Sequence, residues 1–166
     1  MKATGIVRRI DGLGRIVIPK EIRRVLHIRE GDPLEIYTSA DGLVSFKKYS
    51  PMIELGQLSE LFAASLAAAA HCSAAVCDRE TVIAVSPENK RLLGRRLSAQ
   101  LLEILDNRRQ FDGSAALIED DERDRMIICP VTANSELVGA VVIFSDKSEL
   151  SQLASMTASL ISGMLI

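Results

Sequence analysis

Gly5-Ile6-Val7-Arg8-Arg9-Ile10-Asp11, followed almost at once by Leu13-Gly14-Arg15-Ile16-Val17-Ile18-Pro19, decides how the first part of this chain folds. Residues 4–10 set Ile6, Val7 and Ile10 among β-compatible neighbours, and residues 15–18 are a β-branched run, so both read as strands. The intervening Asp11-Gly12-Leu13-Gly14 is a loop whose glycines permit positive φ. Pro19 then opens a helix, where its missing N–H costs nothing. Residues 20–26 place Ile22, Val25 and Leu26 on one face, with Lys20, Arg23 or Arg24, and His27 opposite. Gly31-Asp32-Pro33 is a turn, and residues 34–38 and 43–49 form a hairpin around Asp41-Gly42.

Fifty residues in short strands bury little core, and a domain this small needs a staple or a partner. Disulfides and metals do not supply the staple. Cys72, Cys77 and Cys129 lie outside this segment, are odd in number and lack C-x-x-C spacing, and His27 and His71 are the only histidines. The three cysteines read as buried, reduced thiols. A second copy of the chain is the natural staple, so an intertwined dimer is expected.

Charge divides the chain in the same place. Residues 1–50 carry ten Lys and Arg against six acids, whereas the remainder carries ten against sixteen, within a total of −2. A basic head on an acidic body points to a polyanion met by the head. Ser50-Pro51 is the expected boundary, giving domains at 1–50 and 51–166.

Beyond it, residues 53–71 read as one amphipathic helix, and residues 73–77 and 81–85 as paired strands turning at Asp78-Arg79-Glu80. A helical stretch interrupted at Gly94 follows, then a helix over 99–108 capped by Ser98. Strands are expected at 115–118, 126–131 and 137–144. A last helix opens on an Asp146-to-Glu149 capping box, with Leu150, Leu153, Leu160, Ile161 and Met164 as its apolar stripe. The body is therefore α+β, with a helix at each end of an antiparallel sheet.

No catalytic set stands out in that body. His71 beside Cys72 is only a sequence neighbour, and Glu119-Asp120-Asp121-Glu122 reads as a solvated loop rather than a metal site. Neither an enzyme, nor a cofactor, nor a metal is expected. The apolar runs are too short to span a bilayer, and no leader pattern opens the sequence, so a cytoplasmic, nucleoid-associated protein is expected.

The two opening blocks, with Glu21-Ile22-Arg23-Arg24 and Glu30-Gly31-Asp32-Pro33-Leu34-Glu35-Ile36, resemble in order the AbrB family of transition-state regulators. The continuation is similar to members of that family whose second part is a GAF domain and which act in sporulation. The resemblance implies a swapped-hairpin, β-barrel-like dimer followed by an antiparallel α/β sandwich of GAF type. It also implies double-stranded DNA as partner and a tetramer, a dimer of head dimers held by body helices. Arg8, Arg15, Arg23 and Arg24 fall on the family's DNA-contacting positions, and Arg9 sits where relatives also carry a basic residue. Arginine suits the task, because its planar fork of donors matches a phosphate or the edge of guanine.

Tolerant, AT-leaning sites are expected, since such proteins read groove shape and bendability as well as bases. The GAF resemblance suggests a small-molecule pocket between sheet and helices. A rival role is the antitoxin, whose tail neutralises a toxin, although such tails are short and disordered before binding. Neither target promoters nor the choice between activation and repression is legible in these residues.

Overall fold

The computed structural model describes residues 4–122 and 124–165. It divides into two compact units, with the division between Tyr49 and Ser50.

In the first unit a six-residue helix, α1 (Lys20–Val25), follows Pro19, whose φ of −57° suits a helix entry. The carbonyl of Pro19 accepts from the amide of Arg23 at 3.0 Å. His27 adopts a left-handed φ of 52° just beyond the helix end. Strands β1 (Leu34–Thr38) and β2 (Val44–Lys48) form an antiparallel hairpin, Leu34 opposite Lys48 and Thr38 opposite Val44. Lys48 is tied inward: its Nζ lies 3.0 Å from Asp32 Oδ2 and donates to the carbonyl of His27 at 3.0 Å.

Residues 4–10 and 15–18, expected as strands, form no ladder within the described residues of one chain. A β-branched run becomes a strand only when another strand takes its N–H and C=O groups, and the one hairpin here is already paired with itself. Pro19 is the single buried residue of the described head. Val7 is 88% exposed, Leu13 76%, Val17 71% and Val25 69%, and Ile6, Ile10, Ile16, Leu26, Ile36 and Phe46 are exposed as well. Isolated surface hydrophobes are ordinary, but so many on a unit without a core form an unpartnered apolar surface.

The second unit is a five-stranded antiparallel sheet in the order β4-β3-β7-β6-β5, with helices on both faces. Its strands are β3 (Ala74–Cys77), β4 (Val82–Val85), β5 (Phe111–Ala115), β6 (Asp124–Ala133) and β7 (Glu136–Phe144). The long β6–β7 hairpin turns at Asn134 and Ser135, both at positive φ (49° and 66°), the geometry that matches strand twist. Side chains alternate along it. Ile127, Cys129, Val131, Val141 and Ile143 face a cluster with Leu66, Ala154 and Ile161, from the helices α3 (Gln57–Ala70) and α5 (Ser151–Met164). Met126, Ile128, Ala140 and Val142 face a second cluster with Leu92, Leu101 and Leu105 from the 3-10 turn Pro87–Leu92 and the helix α4 (Ala99–Asp106). Burial on both faces is why β7 reads as a nearly continuous apolar run.

Several local expectations shift. The helix expected over 53–71 is broken into α2 (Pro51–Glu54) and α3, because Gly56 takes φ +50° between them. The break lets Met52 turn in and become fully buried. The strand expected at 115–118 lies earlier, at β5. Its ladder with β6 places Phe111 opposite Ile128 and Gly113 opposite Met126, and this pairing overrides the poor strand preference of Asp112-Gly113. The Phe111 ring covers Gly113, where an added Cβ would lie 2.7 Å from it. Ser98 does cap α4, accepting from the Leu101 amide at 3.0 Å. The Asp146–Glu149 capping box does not form: a short 3-10 turn, Ser148–Leu150, precedes α5, and no side chain caps either start. The stripe expected on α5 splits, with Ile161 buried and Leu160 and Met164 exposed.

Candidate nucleic-acid interface

Arg8, Arg9, Arg15, Arg23 and Arg24 are all exposed. Arg8 and Arg9 lie in the unladdered opening segment, and Arg15 follows the 11–14 loop. Arg23 and Arg24 form the basic last turn of α1, where the helix dipole favours cations. Among the described residues, Arg15 alone of the five is ion-paired.

The loop around Arg15 is the best-defined local geometry of the head. The Asp11 amide donates to the Arg15 carbonyl at 3.0 Å, and the Gly14 amide to the Asp11 carbonyl at 3.0 Å, with Gly14 at φ +76°. Asp11 Oδ1 accepts from the amides of Leu13 and Arg15, both at 2.9 Å, and Asp11 Oδ2 accepts from Arg15 Nε at 2.8 Å. Those contacts, the Arg15 amide first, then its guanidinium and the Leu13 amide, hold the Asp11 carboxyl below its ordinary value of 3.8. Since the folded value is the lower one, the loop gains from ionised Asp11 fully above about 3.8 and loses that gain as pH falls through the folded value. Sequence reading takes Asp11 only as a loop residue. The trace it leaves is an acid four residues before an arginine, across two glycines.

Two open clefts stand out among the described residues of the body. One, about 410 Å³, lies between β6 and α5 and is lined by Gln110, Cys129, Thr132, Ser155, Ser159 and Ser162. The other, about 480 Å³, is lined by Asn89, Arg91, Asp124, Arg125, Phe144 and Asp146. In and around the second, Arg91 pairs with Asp121 at 3.2 Å and Arg125 with Asp112 at 3.1 Å. The acidic loop is thus partly neutralised. Among the described residues no three His, Cys, Asp or Glu side chains group as metal ligands.

Cys77 and Cys129 are buried and Cys72 is half-buried, all with free thiols. Burial pushes Cys129 up to about 11 and Cys77 higher still, with the Asp78 charge adding to the latter. Such thiols are poor nucleophiles. No helix among the described residues is long and apolar enough to cross a membrane.

Residues 54–165 match the family model described as stage V sporulation protein T C-terminal, transcription factor. Stage V sporulation protein T of Bacillus subtilis (strain 168) is 47% identical over 152 residues, which cover 87% of this chain and 85% of that protein. The chain belongs to the stage V sporulation protein T family. It is accordingly a transcription regulator of the sporulation type, in a family of transcription factors. The head is AbrB-like in sequence: the transition state regulatory protein AbrB of the same organism is 57% identical over 51 residues, 31% of this chain and 52% of that protein. Residues 7–44 also match a model described as antidote-toxin recognition MazE, bacterial antitoxin. That match stops short of the body, and the body matches a transcription-factor family, so the antitoxin reading is not favoured. The GAF domain of an Acinetobacter phosphoenolpyruvate-protein phosphotransferase superposes with a TM-score of 0.53 at 14% identity, covering 72% of this chain and 84% of that one. This likeness shows a GAF-like fold for the second unit of this chain, and the fold alone.

Proposed function

We propose that the head binds double-stranded DNA as an interleaved dimer, through Arg8, Arg9, Arg15, Arg23 and Arg24, at AT-leaning sites. The observation that carries this reading is the pairing of two properties in one small unit: five exposed arginines within residues 8–24, and a described head with only Pro19 buried. The exposed apolar residues call for a second copy, and the second copy doubles the arginines on one surface. Binding then leans on phosphate neutralisation and groove shape, so it falls steeply with salt. DNA binding would place the protein in the cytoplasm on the nucleoid. No catalysis is assigned to the body.

The body is proposed to join two head dimers into a tetramer. Met156, Leu160 and Met164 recur at helical spacing on α5 and are exposed, as are Leu58 and Leu61 on α3. Two heads on one assembly engage separate DNA segments and gain avidity. A fragment of residues 1–50 is therefore expected to dimerise and to bind an AT-rich duplex more weakly than the full chain, as read by sedimentation and fluorescence anisotropy. Equal affinity and equal stoichiometry would remove the assembling role.

A small-molecule ligand for the GAF-like body is supported by the 410 Å³ cleft between β6 and α5, which has room for a compact polar metabolite on a neutral wall of hydroxyl and amide groups. A ligand there raises the melting temperature of the full chain, and a Ser159→Leu variant abolishes the shift. Flat melts across a library of polar metabolites would retire the reading.

A further inference from the structure

Arg15 differs from the other four proposed contacts because it is already held. Its Nε donates to Asp11 Oδ2 at 2.8 Å, while its own amide and that of Leu13 donate to Asp11 Oδ1. Both residues are substantially open to solvent, with side chains 70% and 43% exposed. The terminal nitrogens of Arg15 make no hydrogen bond among the described residues. One edge of the guanidinium is thus fixed against the loop, and the end bearing Nη1 and Nη2 is left outward.

We propose that Asp11 is a positioning and specificity-determining residue: it orients the free end of Arg15 and biases it toward base edges in a groove and away from phosphates. The inference rests on the DNA-binding reading above. Its physics has two parts. A pinned side chain loses less rotamer freedom on binding than a free one, so a ligand that matches its fixed direction is favoured. The Asp11 carboxylate also repels a phosphate drawn to Arg15, which carries a full negative charge, far more than it repels a base edge, which presents only partial charges on acceptor atoms. Among the described residues Arg8, Arg9, Arg23 and Arg24 have no such carboxylate partner, and they suit the backbone.

The test uses the full chain and two duplexes of equal length, one AT-rich and one GC-rich, titrated over a range of salt. Asp11→Asn keeps an acceptor for the Leu13 and Arg15 amides but cannot accept from Arg15 Nε and carries no charge. It is expected to bind the disfavoured duplex more tightly than the unsubstituted chain and to lose about fivefold or more in discrimination between the duplexes. Its salt dependence should steepen by about one to two counterions per dimer. In an Arg15→Ala background the same change should leave discrimination unaltered. If Asp11→Asn disturbs the fold by circular dichroism, Asp11→Ser serves, since its hydroxyl oxygen still accepts in the turn and is uncharged. A turn-supporting role alone would instead weaken binding to both duplexes without steepening the salt dependence, and would do so with or without Arg15; that result overturns the proposal. Equal affinity of the unsubstituted chain for both duplexes also overturns it and leaves the DNA reading standing, whereas no binding at all removes the DNA reading and this proposal together.

Discussion

Replacing Arg15 and Arg23 together by alanine is expected to lower affinity for an AT-rich duplex by about a hundredfold or more, with the oligomeric state unchanged. Each phosphate-directed arginine adds a counterion release, and an arginine set against a base edge adds discrimination of about 1–3 kcal/mol. In a dimer the substitution removes four guanidinium groups from one face. If about six arginines neutralise phosphates, the logarithm of affinity falls against that of salt with a slope of about −5; of the four groups removed, the two copies of Arg23 are phosphate-directed, so the slope flattens to about −4. Anisotropy titrations at several salt concentrations read both quantities at once. Neither substitution touches a core, since both side chains are exposed. Binding indifferent to the pair would send the search toward a protein partner.

Gly139→Ala is expected to cost the body a large share of its stability. Gly139 lies on β7, the central strand of the sheet, where an added Cβ would sit 2.2 Å from the Cys77 carbonyl oxygen and 2.9 Å from Met52 Cγ. The first contact is backbone of the neighbouring strand, so no rotamer change relieves it. Relief requires β3 and β7 to part where Cys77 pairs with Ala140. Overpacking of a closed core typically costs 1–3 kcal/mol, and a backbone shift in a central ladder stands at or above the top of that range. A fall of the thermal midpoint by about 10 °C or more follows for a unit of this size. Gly163→Ala is the matched control. It lies in α5 with nothing within 4 Å of the added Cβ, so it should leave the midpoint unchanged or raise it by a helix-propensity gain below about 1 kcal/mol. Melts followed by circular dichroism separate the two, and an unchanged midpoint for Gly139→Ala would contradict the strand packing described here.

Local chemistry made much of this architecture legible. Asp41-Gly42 announces the head hairpin, Ser98 announces α4, and the apolar runs over 126–131 and 137–144 announce the β6–β7 pair. What escaped depends on partners distant in sequence. Residues 111–115 carry Asp and Gly, yet they form a strand because β6 offers them a ladder and Phe111 covers Gly113. Residues 4–10 and 15–18 have the composition of strands and no strand to pair with in one chain. Leu55-Gly56 sits inside the helical pattern read over 53–71, where Gly56 at φ +50° breaks the helix and lets Met52 pack against Gly139. At the candidate interface, residue type and order are what single out the five arginines as proposed contacts. The hydrogen bonds that distinguish Arg15 from its neighbours belong to the loop's three-dimensional closure, and no periodicity reports them.

The near absence of a core in the head has a further consequence at the level of the cell. On the proposed dimer, nearly all the burial that folds this segment comes from association, so its folded fraction follows protein concentration instead of standing at a fixed value. Well below the dimer's dissociation constant the reader of DNA is scarce and its amount climbs with the square of the amount synthesised; well above it, the amount climbs only in proportion. A regulator assembled this way responds to its own dosage as a threshold, and a modest rise in expression over time becomes a sharp onset of control.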